Sequence, residues 1–210
     1  LWGHASLSVA LFALTCPQEA MRVIGGRLSG RRCGAPGGRG TRPTSDRVRE
    51  ALASALESRA AFVGASVLDL FAGTGALGFE ALSRGAVSAV LVERDPQVVR
   101  QLKQSVGELG LGAETRIARV DLLGDPASVA AQLPATDGGF DLVFCDAPYS
   151  EIDSVPTLIS QLGHDGLLRR GAWVVVERPA QHEWSWPNAL APEAEYRYGQ
   201  TGISLGVYEP

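Results

Sequence analysis

From Ser66 onward, short apolar runs alternate with stretches of helical periodicity. The runs are SVLDLF (66–71), SAVLVE (88–93), ETRIARV (114–120), FDLVFC (140–145) and AWVVVE (172–177), each of a length that suits a buried strand. Asp95-Pro96 and Asp125-Pro126 have the form of an N-cap followed by a helix-starting proline, and Gly85 and Gly110 sit where helices would stop. Four successive strand–helix–strand units predict a doubly wound α/β fold, its sheet mostly parallel with helices on both faces. The last residues break that rhythm. YRYG (196–199) and TGISLGVY (201–208) read as two strands with no helix between them, an antiparallel hairpin that finishes the sheet.

Upstream of this core, TRPTSDRVREALASALES reads as a helix. Thr44, Ser45 and Asp46 offer N-caps, and Val48, Leu52, Ala55 and Leu56 recur at helical spacing. Before it, RVIGGRLSGRR has the residues for a hairpin around Gly25 and Gly26, too small to build a core of its own. The first twenty residues start with Leu1 and precede the only methionine, Met21. They lack the basic n-region and cleavage site of a signal peptide and are expected to be a disordered or non-native extension. The reading thus divides the chain into an extension (1–20), an N-terminal basic arm (21–45) and a catalytic domain (46–210).

Composition narrows the class. At 210 residues, 45% of them apolar and 20% charged, the chain is one globular domain's worth of sequence. Its longest apolar stretch, Ala5 to Leu14, is half the ~20 residues needed to cross a bilayer. Cys16, Cys33 and Cys145 are an odd, scattered set without metal-ligand spacing, so neither a disulfide framework nor a metal is expected, and a reducing cytoplasm is the natural setting. The net charge of −4 conceals an asymmetry: residues 21 to 50 carry +6 and the remaining 180 carry −10. Eight arginines make the basic segment, namely Arg22, Arg27, Arg31, Arg32, Arg39, Arg42, Arg47 and Arg49, the signature of a phosphate-binding arm.

Candidate chemistry gathers at the ends of the apolar runs. The first empties into DLFAGTGALG, where Gly73, Gly75 and Gly78 permit a tight turn and close backbone approach to a ligand. A dinucleotide site puts glycine straight after the strand, whereas here Asp69 stands at the strand end, ahead of Leu70, Phe71 and Ala72. A carboxylate about 5 Å from a phosphate would cost on the order of 3 kcal/mol at an effective dielectric of 20. It suits instead a ligand bearing an ammonium group, such as the methionine part of S-adenosylmethionine. Glu93 ends the second run, where an acid can accept ribose hydroxyls, and Asp121 follows the third, within reach of an adenine amine. The fourth leads into Asp146-Ala147-Pro148-Tyr149. There Tyr149 can stack on an extruded base while Asp146 and the Ala147 carbonyl accept from an exocyclic amine.

These residues resemble the class I S-adenosylmethionine-dependent methyltransferases whose [D/N/S]-P-P-[Y/F/W] tetrad serves planar amino groups. More narrowly, RVIGGRLSGRR, RPTSDRVREAL, LDLFAGTGALGFEALSRGA, LVERD, FDLVFCDAPY and YRYGQTGIS are similar to the bacterial ribosomal small-subunit methyltransferase D family, over residues 21 to 208. The resemblance implies a Rossmann-like, seven-stranded sheet and methyl transfer to N2 of guanine 966 in 16S ribosomal RNA. It implies that Asp69, Gly73 and Gly75 hold the methionine part of the cofactor, Glu93 the ribose and Asp121 the adenine edge. Phe71, Ala72, Thr74, Arg94 and Leu122 complete that crevice. Asp146, Ala147, Pro148 and Tyr149 become the catalytic tetrad and the arm's arginines the RNA contacts. Ala147 departs from the pattern by replacing its first proline, which loosens the tetrad and lowers the expected rate.

The implied partner is 16S ribosomal RNA, the small subunit or its assembly intermediate, with no membrane and a monomeric enzyme. From the residues alone the target stops at a planar amine, so adenine N6, cytosine N4 and glutamine amides stay open. A nicotinamide-dependent oxidoreductase accounts for GTGALG and Glu93 but not for Asp69 or the D-A-P-Y segment. A noncatalytic RNA-binding protein on a relic methyltransferase fold accounts for the arm, with slight support from Ala147.

Overall fold

The computed structural model describes residues 21–34, 46–124, 129, 131–134 and 136–210. The extension 1–20, the caps Thr44 and Ser45, Arg39, Arg42 and the Asp125-Pro126 helix start lie outside the described residues. Two strands of two residues each, β1 (Met21–Arg22) and β2 (Arg32–Cys33), pair antiparallel around a short 3₁₀ turn at Gly26–Leu28. Then follow α1 (Asp46–Glu57), β3 (Ser66–Asp69), α2 (Ala76–Ser83), β4 (Ser88–Val92), α3 (Pro96–Leu109), β5 (Thr115–Ala118) and β6 (Phe140–Cys145). A 3₁₀ turn (Tyr149–Ser154), α4 (Val155–His164), β7 (Leu168–Pro179), β8 (Leu190–Tyr198) and β9 (Thr201–Tyr208) complete the chain.

Seven strands form one sheet in the order β5-β4-β3-β6-β7-β9-β8. Strands β3 to β7 are mutually parallel, and β9 inserts antiparallel between β7 and β8. Every apolar run named above contains a strand. Two elements outgrow their sequence signals. Strand β7 begins at Leu168 rather than Ala172, because Leu168 pairs with Phe140 across an irregularity that returns to register at Leu142↔Trp173. Strand β8 begins at Leu190, its polar first half hidden because an edge strand carries little apolar alternation.

Alternation along the strands sends side chains to two cores. One contains Val67, Leu91, Leu142, Phe144, Val175 and Leu205 and lies under α1, α2 and α3. The other contains Leu68, Val90, Val143, Cys145, Val174 and Val176 and lies under α4. Met21, Val23, Leu28 and Cys33 belong to the first core, so the hairpin is built into the domain. Gly25 and Gly26 serve this docking: a Cβ at Gly26 would fall 2.0 Å from the Ser83 carbonyl oxygen, and the Gly26 φ of +72° is glycine's. Among the described residues no helix is long and apolar enough to cross a membrane.

Candidate functional site

The carboxyl ends of the parallel strands meet at one edge of the sheet, where an α/β fold places its ligands. Leaving β3, the chain stays tethered between its neighbours: Leu70 N–H donates to the Phe144 carbonyl at 3.0 Å and Ala72 N–H to the Val92 carbonyl at 2.9 Å. It then turns through Gly73 and Gly75, with φ of +49° and +77°, into α2. A Cβ on Gly75 would lie 2.5 Å from the Phe79 ring, and one on Gly78 would lie 2.3 Å from Leu91. These glycines let helix and strand close on each other beneath the loop. Ala72 is buried, Thr74 half-buried, and Phe71 packs against the second core.

Asp69, 1% exposed, lies under this loop and accepts the Gly78 N–H through Oδ2 at 3.1 Å. Burial above all, with Asp146 and Glu93 nearby, pushes its carboxyl up to about 7 against the opposing pull of that N–H. Glu93, half-buried past the end of β4, joins two segments: Oε2 accepts the Gly73 N–H at 3.2 Å and Oε1 the Asp95 N–H at 2.9 Å. Asp95 in turn caps α3 through the N–H groups of Gln97 and Val98, as its sequence position required.

Arg94 and Asp121 are exposed and face each other at 3.8 Å. Arg94 also reaches Glu151 at 3.1 Å, a tie from the β4 loop to the turn behind the D-A-P-Y segment that the sequence did not reveal. Leu122, beside Asp121, is buried in the second core. At the end of β6, Asp146 is half-buried, while Pro148 is exposed and Tyr149 is 42% exposed. Ala147 is 2% exposed, its methyl in the second core, and Pro148 keeps its predecessor away from helical geometry. The register Asp69↔Phe144 brings the glycine loop and D-A-P-Y together at adjacent strand ends.

The arginines divide. Arg22 pairs with Asp46, Arg27 with Glu114, and Arg31 donates to the carbonyls of Leu109 and Glu108 at the end of α3. Arg49 is a correction to the expected RNA set. It is buried, donating to the Arg22 carbonyl at 3.0 Å and to Asp46 at 2.6 Å, because it joins α1 to the hairpin. Arg32 and Arg47 are exposed and have no ion-pair partner among the described residues. The hairpin hangs on α2 through Glu80, which accepts the N–H groups of Ile24 and Gly25 at 2.9 and 2.8 Å. Arg84 bridges Glu80 and Glu57, and Ser83 accepts the Leu28 N–H. No local pattern in the sequence marks Glu80 or Ser83; the docked hairpin gives them their role.

Together, the edge gathers buried Asp69 and half-buried Glu93 around a glycine turn, beside an exposed tyrosine and a half-buried aspartate. It can hold a cationic ligand and accept hydrogen bonds from an amine beside it.

The chain is similar to known proteins. Residues 21–207 match the family model described as conserved hypothetical protein 95. The chain is 36% identical to ribosomal RNA small subunit methyltransferase D of Escherichia coli K12 over 162 residues, covering 77% of this chain and 76% of that one. The solved yhhF structure from Escherichia coli superposes with a TM-score of 0.74 at 34% identity, covering 90% and 98% of the two chains. The fold extends to an RNA methyltransferase from Salinibacter ruber, solved in complex with S-adenosyl-L-homocysteine: TM-score 0.56, 20% identity, 80% of this chain and 95% of that one.

Proposed function

We infer that this chain, which belongs to the ribosomal RNA small-subunit methyltransferase D family, transfers a methyl group from S-adenosylmethionine to N2 of guanine 966 in 16S ribosomal RNA. Family membership supports ribosomal RNA methylation as the class of reaction. The observation that carries the reading beyond membership is the adjacency of β3 and β6, which sets the tetrad beside the glycine loop.

The residues present fit the cofactor. Gly73 and Gly75 open a turn for close backbone approach, and Asp69 is a buried carboxyl beside the acids Asp146 and Glu93. Such a group is best satisfied by a cation. On this reading Asp69, Gly73 and Gly75 hold the methionine part, Glu93 the ribose and Asp121 the adenine edge, with Phe71, Ala72, Thr74, Arg94 and Leu122 around them. When bound, S-adenosylmethionine supplies a methyl carbon on a cationic sulfonium, open to in-line displacement by an amine.

The chain's own part is orientation and charge. Asp146 and the Ala147 carbonyl accept the amine's N–H groups and turn its lone pair outward, while Tyr149 stacks on the base. Holding the reacting atoms in line contributes ~7–11 kcal/mol to such reactions. Asp146 also stabilises the positive charge that builds on nitrogen, and the proton leaves to water after transfer. Arg32 and Arg47, with the engaged Arg22, Arg27 and Arg31 at the rim, face the RNA backbone. The enzyme works on this reading as a cytoplasmic monomer on 16S RNA, the small subunit or an assembly intermediate.

Complementation tests the reading. In Escherichia coli lacking methyltransferase D, expression of this chain is expected to restore N2-methylguanosine at position 966 of 16S RNA. Unmodified guanine there, with the chain expressed and folded, would count against it.

A further inference from the structure

The sheet order places four carboxylates at neighbouring strand ends: Glu93 after β4, Asp69 ending β3, Asp146 after β6 and Glu177 near the end of β7. Two of them are tied to the cofactor side, Glu93 through Gly73 and Asp69 through Gly78. Glu177 lies on the far side of Asp146 from the glycine loop. The last pairs of the β6–β7 ladder are Phe144↔Val175 and Cys145↔Val176, so Glu177 and Asp146 each stand one residue past it on adjacent chain segments. Strand alternation gives its direction. Phe144 and Val175 point into the core under α1 and α2, whereas Cys145, Val174 and Val176 point into the other. Glu177 therefore shares the sheet face of Asp69, Phe144 and Val175, and it is half-buried.

We infer that Glu177 selects the base: its carboxylate accepts the N1–H of guanine while Asp146 accepts from the adjacent N2 amine. This rests on the methyl-transfer reading above and supplies what the tetrad lacks. D-A-P-Y recognises a planar amine without distinguishing which base carries it. Guanine alone offers two donors side by side, the exocyclic amine and the ring N1–H. Adenine and cytosine present an acceptor nitrogen beside their amine. An ionised carboxylate is an acceptor only, so it is satisfied by guanine and repelled by the ring lone pair of the other two. Sites that hydrogen-bond a substrate group reject analogues lacking it far more strongly than sites that merely fit its shape.

The test replaces one hydrogen-bond donor. The substrate is 16S RNA made by splinted ligation with either guanine or 2-aminopurine at the methylated position. 2-Aminopurine keeps the exocyclic amine and presents a ring acceptor in place of N1–H. The wild-type enzyme is expected to prefer guanine in kcat/KM by roughly 100-fold or more. Glu177→Gln, whose amide can donate to the ring nitrogen, is expected to narrow that preference at least tenfold. Because each ratio is taken within one enzyme, partial misfolding of the variant does not alter it. Equal ratios in wild type and variant, or wild-type turnover of 2-aminopurine as fast as of guanine, would overturn the assignment while leaving methyl transfer standing. Wild-type enzyme inert on the guanine RNA would overturn the methyl-transfer reading instead, and the assignment with it.

Discussion

Asp69 Oδ2 accepts the backbone N–H of Gly78 at 3.1 Å, joining the end of β3 to the first turn of α2 beneath the glycine loop. The carboxylate is buried and lies near the acids Asp146 and Glu93, so it enters the folded state at a cost that a bound cation would offset.

A pH signature follows. With its carboxyl pushed up to about 7 from an ordinary 3.8, the folded chain holds a proton at Asp69 that the unfolded chain has released. Its contribution to stability therefore falls as pH rises between about 4 and 7 and is level above. A cationic ligand reverses the balance by favouring ionised Asp69. S-Adenosylmethionine binding should release a proton near about pH 6, and the release should fade as pH rises through about 7. Titration calorimetry in two buffers of different ionisation enthalpy measures this. Asp69→Asn is expected to abolish the release; identical heats in both buffers at the lower pH would refute the link.

Asp146 separates binding from turnover. Asp146→Ala should lower kcat by at least about a thousandfold, the scale of a lost charge-stabilising group. Equilibrium dialysis should find S-adenosylmethionine affinity within about threefold of wild type, because the residues proposed for the cofactor lie at the ends of β3, β4 and β5, not on β6. Joint loss of both would make Asp146 a cofactor ligand.

Glu80 holds the hairpin in place. It accepts two backbone N–H groups and pairs with Arg84, and both side chains are buried. Glu80→Ala leaves the Ile24 and Gly25 N–H groups without their acceptor, Arg84 keeping Glu57, and should destabilise the protein by about 2–4 kcal/mol, read as a lower urea midpoint at unchanged m. Glu80→Gln keeps an acceptor and should cost less. Equal stability of wild type and the alanine variant would show that the hairpin is not held this way.

The arginines should fall into two classes. Arg32→Ala and Arg47→Ala should each reduce the slope of log K against log salt for RNA binding by about 0.7 without changing the melting temperature. Arg49→Ala should lower the melting temperature by several degrees instead, because Arg49 is buried between α1 and the hairpin. A fall in RNA affinity on a fully stable Arg49 variant would return it to the RNA set.

What could be read in the sequence was what local chemistry dictates. Strands buried on both faces announced themselves as apolar runs, and Asp95-Pro96 announced α3, because cap and proline act within one turn. Gly25 and Gly26 were legible as special but not why: Gly26 makes room for the Ser83 carbonyl, fifty-seven residues away in the chain. Arg49 looked like its neighbours in a basic run and turned out buried, since its partners lie on the hairpin and in its own helix. Glu80 and Arg84 carried no signal, because the hairpin N–H groups and the Glu57 carboxylate that engage them lie far off in the chain. Glu177 ended an apolar run without remark, because its place beside Asp146 depends on strand order, which no local pattern encodes. Contacts made across the fold were the ones the sequence withheld.

The most direct measurement is transfer of labelled methyl from S-adenosylmethionine to unmodified 16S RNA, naked and assembled into small subunits, followed by digestion to nucleosides. Label in N2-methylguanosine with wild-type enzyme, and none with Asp146→Ala, is the predicted result. Label in N6-methyladenosine or N4-methylcytidine, or none in either substrate form while S-adenosylmethionine still binds, would contradict it.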